Sequence, residues 1–280
     1  MRATKLTLCL LFTGIFLCSA GDFKPQFGLS LKGSTYGLGA DVYFRPFKVL
    51  AIKAGYEGLA TQLTADMVQP VAGDAVSVRI PMPSGSDMIF NPEARYNTGS
   101  LSVQLGFQPI GLFYLTAGVG TFNLDMQLLG VPATDLSFGS QDVPNVGTVT
   151  PIIKKEDLGN FKIQFNPSKK LAPYFGIGLG SFVPRNKRVS FALELGAYYM
   201  GSPTLTATLP AGLRSENIDY GAQVTESQKQ EYFGSIETEI DGFINDMQNE
   251  INTNVADINT QIEPFKIYPV IKMTIGIKVL

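Results

Sequence analysis

The chain is predicted to be all-β: an eight-stranded antiparallel transmembrane β-barrel with one long helix in its last extracellular loop. Three observations predict this fold class. The segment 189–199 alternates strictly, with Val189, Phe191, Leu193, Leu195, Ala197 and Tyr199 on one face and Ser190, Ala192, Glu194, Gly196 and Tyr198 on the other. A strand of a soluble sandwich usually sets charge, not glycine, against its core face. A greasy face opposite small and polar residues fits lipid outside and a narrow polar interior. The pattern recurs in seven further segments, and the chain opens on an export signal.

Residues 1–20 read as that signal. Arg2 and Lys5 form a positive start, 6–17 an apolar core, and Cys18-Ser19-Ala20 a small-residue cleavage site. The apolar run is shorter than the roughly 20 residues a spanning helix needs. Ile15-Phe16-Leu17 lacks the small residues that precede a lipoprotein cysteine. Cys9 and Cys18 leave with the signal, which removes disulfides and metal–thiolate chemistry from the expected function. Removing Arg2 and Lys5 leaves 20 basic against 24 acidic residues, a formal charge of −4 and no nucleic-acid profile. Histidine is absent, so the usual base of nucleophilic dyads and triads is missing and catalysis is not expected. No catalytic residue, metal site or cofactor is therefore assigned. Beyond the signal no apolar run reaches helical span length, so spanning falls to strands in a closed barrel.

Taken in order, the other outward faces are Phe27, Leu29 and Leu31, then Tyr36, Leu38, Ala40, Val42 and Phe44, then Leu50, Ile52, Ala54 and Tyr56. Leu101, Val103, Leu105 and Phe107 follow, then Phe113, Leu115, Ala117 and Val119, then Phe175, Ile177 and Leu179. Ile271, Met273, Ile275, Ile277 and Val279 come last. Short turns are expected at 45–48, 108–111 and 184–188, and long loops at 66–93, 128–160 and 207–265. With 33–35 as a tight outer link, short turns fall on the periplasmic side with both termini, as in outer-membrane barrels. Eight strands is the count at which side chains just fill the interior. Phe44, Phe47, Tyr56, Phe107, Phe113, Tyr199 and Tyr268 lie near strand ends and are expected to form the interfacial girdles without any Trp. The chain ends in Leu280, where many barrels carry an aromatic residue.

Alternation points Asp41, Glu57 and Glu194, Arg45, Lys53, Lys272 and Lys278, and the amide of Gln104 into the lumen. Unpaired charge is costly there and pairing is expected. Two readings stay open: a salt-bridge plug that holds the barrel shut, or a polar path for small zwitterionic solutes. The glycine pairs Gly118-Val119-Gly120 and Gly176-Ile177-Gly178 lack the following helix start of a nucleotide loop. They are read as room for large neighbours such as Tyr114, Tyr174 and Tyr198.

Residues 225–262 differ in kind. Ile236, Ile240, Phe243, Ile244, Met247, Ile251, Val255, Ile258 and Ile262 recur at steps of three and four, forming one stripe. Thr225 with Gln228 fits a capping box, and Pro264 ends the run. The stripe is expected to pack on the loops or the upper barrel wall, with coiled-coil self-association as the lesser alternative. From 226 to 263 there are nine acids and one base, Lys229, so this helix is expected to concentrate cations at the mouth.

At Gly37-Leu-Gly-Ala-Asp-Val-Tyr-Phe, Ala54-Gly-Tyr-Glu-Gly, Phe113-Tyr-Leu-Thr-Ala-Gly-Val-Gly, Leu171-Ala-Pro-Tyr-Phe-Gly-Ile-Gly, Leu195-Gly-Ala-Tyr-Tyr-Met-Gly-Ser-Pro and Tyr268-Pro-Val-Ile-Lys the chain resembles the small ornithine-uptake porins of the CarO type. The likeness covers most of the wall and not the long loops. It implies an outer-membrane barrel in contact with lipid that admits small, often basic, amino acids. The function expected is a narrow channel for uptake of small polar solutes such as amino acids. The alternative is a closed structural or interaction barrel whose long loops and acidic helix bind a partner.

Overall fold

The computed structural model describes residues 23–64, 67, 77–82, 85–109, 111–184 and 188–279; the expected signal and Leu280 lie outside them. In chain order the elements are β1 (Gln26–Ser34), β2 (Gly37–Phe47), β3 (Leu50–Leu63), β4 (Val78–Ile80), β5 (Met88–Phe107), β6 (Phe113–Thr121), β7 (Asn123–Pro132), β8 (Leu136–Ser137), β9 (Gln141–Val143), β10 (Gly147–Val149) and β11 (Ile152–Ile153). They continue as α1 (Lys155–Leu158), β12 (Phe161–Asn166), β13 (Leu171–Gly180), β14 (Val189–Tyr199), β15 (Thr204–Thr208), α2 (Glu226–Ile262) and β16 (Ile267–Lys278).

Eight of these strands pair into a ring. The antiparallel ladders run β1–β2, β2–β3, β3–β5, β5–β6, β6–β13, β13–β14, β14–β16 and back from β16 to β1. Closure pairs every strand on both edges, which removes the unpaired rows of an open sheet. One end of the ring carries the short turns, the start of β1 and the end of β16, where the Val279 N–H donates to Phe27 O at 2.9 Å. The other carries the long connections. Within the ring the alternation holds: outward Phe113 and Phe191 are 72% and 68% exposed, whereas inward Glu57 and Glu194 are 0% and 1% exposed.

Two expected outward residues turn inward. Tyr36 precedes β2 and sits in the turn from β1, where alternation does not apply. Gly37 follows it at φ +136°, a conformation that favours glycine, and the reversal carries the tyrosine ring into the barrel mouth. Tyr268 shares the inward parity of Val270 and Lys272, and its hydroxyl lies 2.8 Å from that of Tyr96 rather than in a girdle.

The long connections are not irregular. β3 and β5 run past the barrel in unbroken register from Leu50↔Phe107 to Leu63↔Ala94. β5 leaves β6 and takes β7 as its partner, and β12 and β15 extend the same sheet. Strands thus occupy parts of all three expected loops: β4 and the start of β5, β7 to β11, and β15 with α2.

The polarity of the two sheet faces inverts on the way up. On the inward parity, Leu63, Ala94, Leu128, Ile163 and Ala207 form one cross-strand row, with Tyr96, Met126, Phe165 and Leu205 in the row below. On the outward parity, Gln62, Arg95 and Thr206 are exposed and Gln127 and Gln164 are half-buried, all five polar. Beside the barrel those assignments are reversed. The outer face thus changes from apolar beside the barrel to polar above it, while Leu63, Met126 and Leu128 on the other face stay 40–49% exposed.

Above the ring the connections share a core of Met88, Phe90, Phe138, Ile153, Phe233 and Ile240, among others. α2 starts with the expected capping box at Thr225 and Gln228. Its first half inserts Phe233, Ile236 and Ile240 into this core. Near its other end the Asn259 amide exchanges two hydrogen bonds with the Leu205 backbone, 2.6 and 3.0 Å, and so satisfies the edge of β15. Tyr220 donates to Glu237 on α2 at 2.8 Å; burial first, and then that acceptor, push its phenol pKa up.

Candidate functional site

The interior of the ring is the candidate site, because strand parity drives charged side chains there and closure removes water from around them. Glu57 on β3 accepts from Lys272 Nζ on β16 at 3.0 Å, from the Ser34 hydroxyl at 2.9 Å and from the Tyr198 hydroxyl at 3.3 Å. Asp41 on β2 accepts from Lys32 Nζ at 2.5 Å and from the Ser30 hydroxyl at 3.4 Å. Glu194 on β14 accepts from the Tyr174 hydroxyl, and Lys272 also lies 4.8 Å from the Tyr174 ring centroid. Pairing of this kind offsets the desolvation of charges taken out of water.

Lys32 belongs to this network and is not among the inward charges assigned from the sequence. It lies on the inward parity of β1, two residues before the strand ends at Ser34, where periodicity alone does not separate rim from interior. The other assigned residues divide. Asp41, Arg45, Lys53, Glu57, Gln104, Glu194 and Lys272 are buried inside the ring. Lys278 is half-buried at the turn-end rim, where its backbone N–H donates to Arg188 O at 2.8 Å, and it makes no ion pair among the described residues.

Both ends of the interior are filled. At the loop end Tyr36, Phe122, Tyr174, Tyr198 and Tyr268 form an aromatic tier with ring centroids 4.8–5.7 Å apart, within the range of favourable ring contacts. At the turn end the connection after β13 folds inward, burying Phe182 and Val183. The Phe182 ring lies 5.4 Å from that of Tyr114, and Lys53 Nζ lies 4.0 Å from its centroid. Arg45 donates to Phe47 O at 3.3 Å, to Lys48 O and to Pro184 O at 3.4 Å, tying two turns together.

Glycine makes this filling fit. A Cβ on Gly178 would come within 2.5 Å of the Tyr114 ring, and one on Gly196 within 2.8 Å of the Tyr174 ring. Gly178→Ala is therefore expected to cost about 1–3 kcal/mol by overpacking. Gly33→Ala, whose Cβ would meet only Leu38 at 3.5 Å, should stay within about 0.5 kcal/mol. Denaturant midpoints of the two variants in the same detergent check the difference.

One patch is not satisfied by the protein. Tyr43 OH, Gln104 Nε2 and Thr116 Oγ1 are buried without a hydrogen-bond partner. Lys53 is 2% exposed and makes no ion pair or hydrogen bond among the described residues. These side chains share the inward face of neighbouring strands: Tyr43 opposes Lys53, Lys53 opposes Gln104, and Thr116 opposes Gly106, two residues along β5 from Gln104. Tyr43 and Thr116 were not singled out, since a lone inward hydroxyl carries no sequence signal until its neighbours across the ring are known.

No family model matches the chain, and no curated protein matches it. Among solved structures it is similar to Acinetobacter baumannii CarO, with 17% identity over 90% of this chain and 97% of that one and a TM-score of 0.47. It is also similar to Acinetobacter baumannii CarO2, with 13% identity over 91% and 98% and a TM-score of 0.48.

Proposed function

We propose that the chain is an outer-membrane barrel with a narrow, gated polar interior through which small polar solutes cross. The membrane reading rests on physics of the wall. A closed ring whose outward residues are apolar and exposed around its circumference has no aqueous partner large enough to cover it, whereas lipid does. Phe47 and Phe113 near one rim and Tyr56 and Tyr199 near the other suit the two interfaces. With the long connections and α2 outside the cell, both chain ends fall in the periplasm.

One observation carries the transport reading: the unpartnered Tyr43, Gln104 and Thr116 groups beside Lys53. Each buried polar atom without a partner costs about 1–3 kcal/mol. An interior evolved only as a plug would be expected to pair or replace them, while an interior that takes up water or solute keeps them. The rival reading, a closed barrel that works through its outer surface, draws on the half-exposed apolar row above the mouth, where Leu63 and Leu128 remain accessible.

Liposome swelling separates the two. The folded barrel is expected to admit glycine and ornithine and to exclude disaccharides. If neither the wild type nor Phe182→Ala, which vacates the turn end, gives solute-dependent swelling, the channel reading is lost and the surface reading stands.

A further inference from the structure

Among the buried charges of the described residues, the bases Lys32, Arg45, Lys53 and Lys272 exceed the acids Asp41, Glu57 and Glu194 by one. Lys32 is held by Asp41 and Lys272 by Glu57, while Arg45 is committed to turn carbonyls. Glu194 is held by Tyr174. Lys53 is left with the face of Phe182. A ring face attracts a desolvated cation, but a carboxylate gives it a shorter, charge-assisted hydrogen bond and can displace the ring. The groups around Lys53 are of matching type. The Gln104 amide nitrogen only donates, and the Thr116 and Tyr43 hydroxyls each have a proton to give.

We propose that Lys53, with Gln104 and Thr116, forms a subsite for a small carboxylate, and that the Phe182 ring occupies the Lys53 ammonium until such a solute displaces it. This rests on the transport reading and gives the interior an anion preference that the acidic outer helix does not suggest. Closure and selection then share one side chain. Phe182 seals the turn end by stacking on the cation that binds the solute, so the path is tightest when no carboxylate is present. Glu194 and Asp41, the acids whose fields reach Lys53, accept from Tyr174 and Lys32 and make no direct contact with the Lys53 ammonium.

The test is the reversal potential of the purified barrel in planar bilayers under a potassium acetate gradient, with folding checked by heat-modifiable electrophoretic mobility. Wild type and Phe182→Ala are expected to favour acetate over potassium by roughly tenfold or more, the scale of one charge-assisted hydrogen bond. Phe182→Ala should also conduct more. Lys53→Met, which keeps the packing on Phe182, should bring the ratio to about one, and Lys53→Arg should retain the preference. A cation preference in Phe182→Ala, or an acetate preference that survives Lys53→Met, overturns the subsite and leaves transport standing. Absence of conductance from both folded wild type and Phe182→Ala overturns transport and the subsite together.

Discussion

Lys272→Met is expected to destabilise the barrel by about 3–5 kcal/mol, the cost of leaving one partner of a buried pair without the other. Glu57 is 0% exposed, and its remaining partners, Ser34 and Tyr198, are neutral donors 2.9 and 3.3 Å away. Hydrogen bonds from hydroxyls soften a buried carboxylate charge but do not neutralise it. The double variant Lys272→Met/Glu57→Gln removes both charges and should recover most of the loss. Reversible denaturant unfolding of the refolded barrel, with the two singles and the double in one cycle, measures the coupling. A single-variant loss below about 1 kcal/mol would show that solvent reaches the pair and that the interior is not dry.

The second large effect lies outside the barrel. Phe233 on α2 is 0% exposed, with its ring 5.1 Å from that of Tyr220. Phe233→Ala should remove about 3–5 kcal/mol from the core above the ring. Because that core shares few side chains with the interior, the expected readout is local: faster proteolysis within 207–265 with unchanged heat-modifiable mobility of the barrel. Global loss of the folded band would mean that the outer core and the ring unfold as one unit. The same packing bears on the acidic face of α2. Deleting 225–262 would remove Phe233, Ile236 and Ile240 along with the acids. Neutralising exposed Glu239, Asp246 and Glu250 to amides instead tests cation attraction at low salt without emptying the core.

Strand parity was readable wherever a strand keeps one environment. Along β14 and β16 the apolar and polar faces stand out, since side chains alternate with a period of two. On β3 and β5 the alternation is legible only beside the barrel, for a physical reason. Above Glu57 and Ser100 the apolar residues change parity, to Leu59 and Leu63 on one strand and Tyr96, Ala94 and Phe90 on the other. A change of parity in a sequence looks like the end of a strand. In the fold it marks a continuous strand passing from one medium to another. Tyr36 escaped for the opposite reason, since it extends an alternating run by one residue into a turn.

The sequence by itself determined the strand-and-turn plan, the inward set of Asp41, Lys53, Glu57, Glu194 and Lys272, and the capped helix. All of these follow from local periodicity and composition. Only the tertiary structure decided that Glu57 meets Lys272, 215 residues away, that Lys53 meets a phenylalanine rather than a carboxylate, and that the ring is stopped at both ends. Those outcomes depend on the register between distant strands and on where a turn folds back. A one-residue slip would turn every inward charge outward, so the partner each charge finds is a property of the closed ring and not of any segment within it.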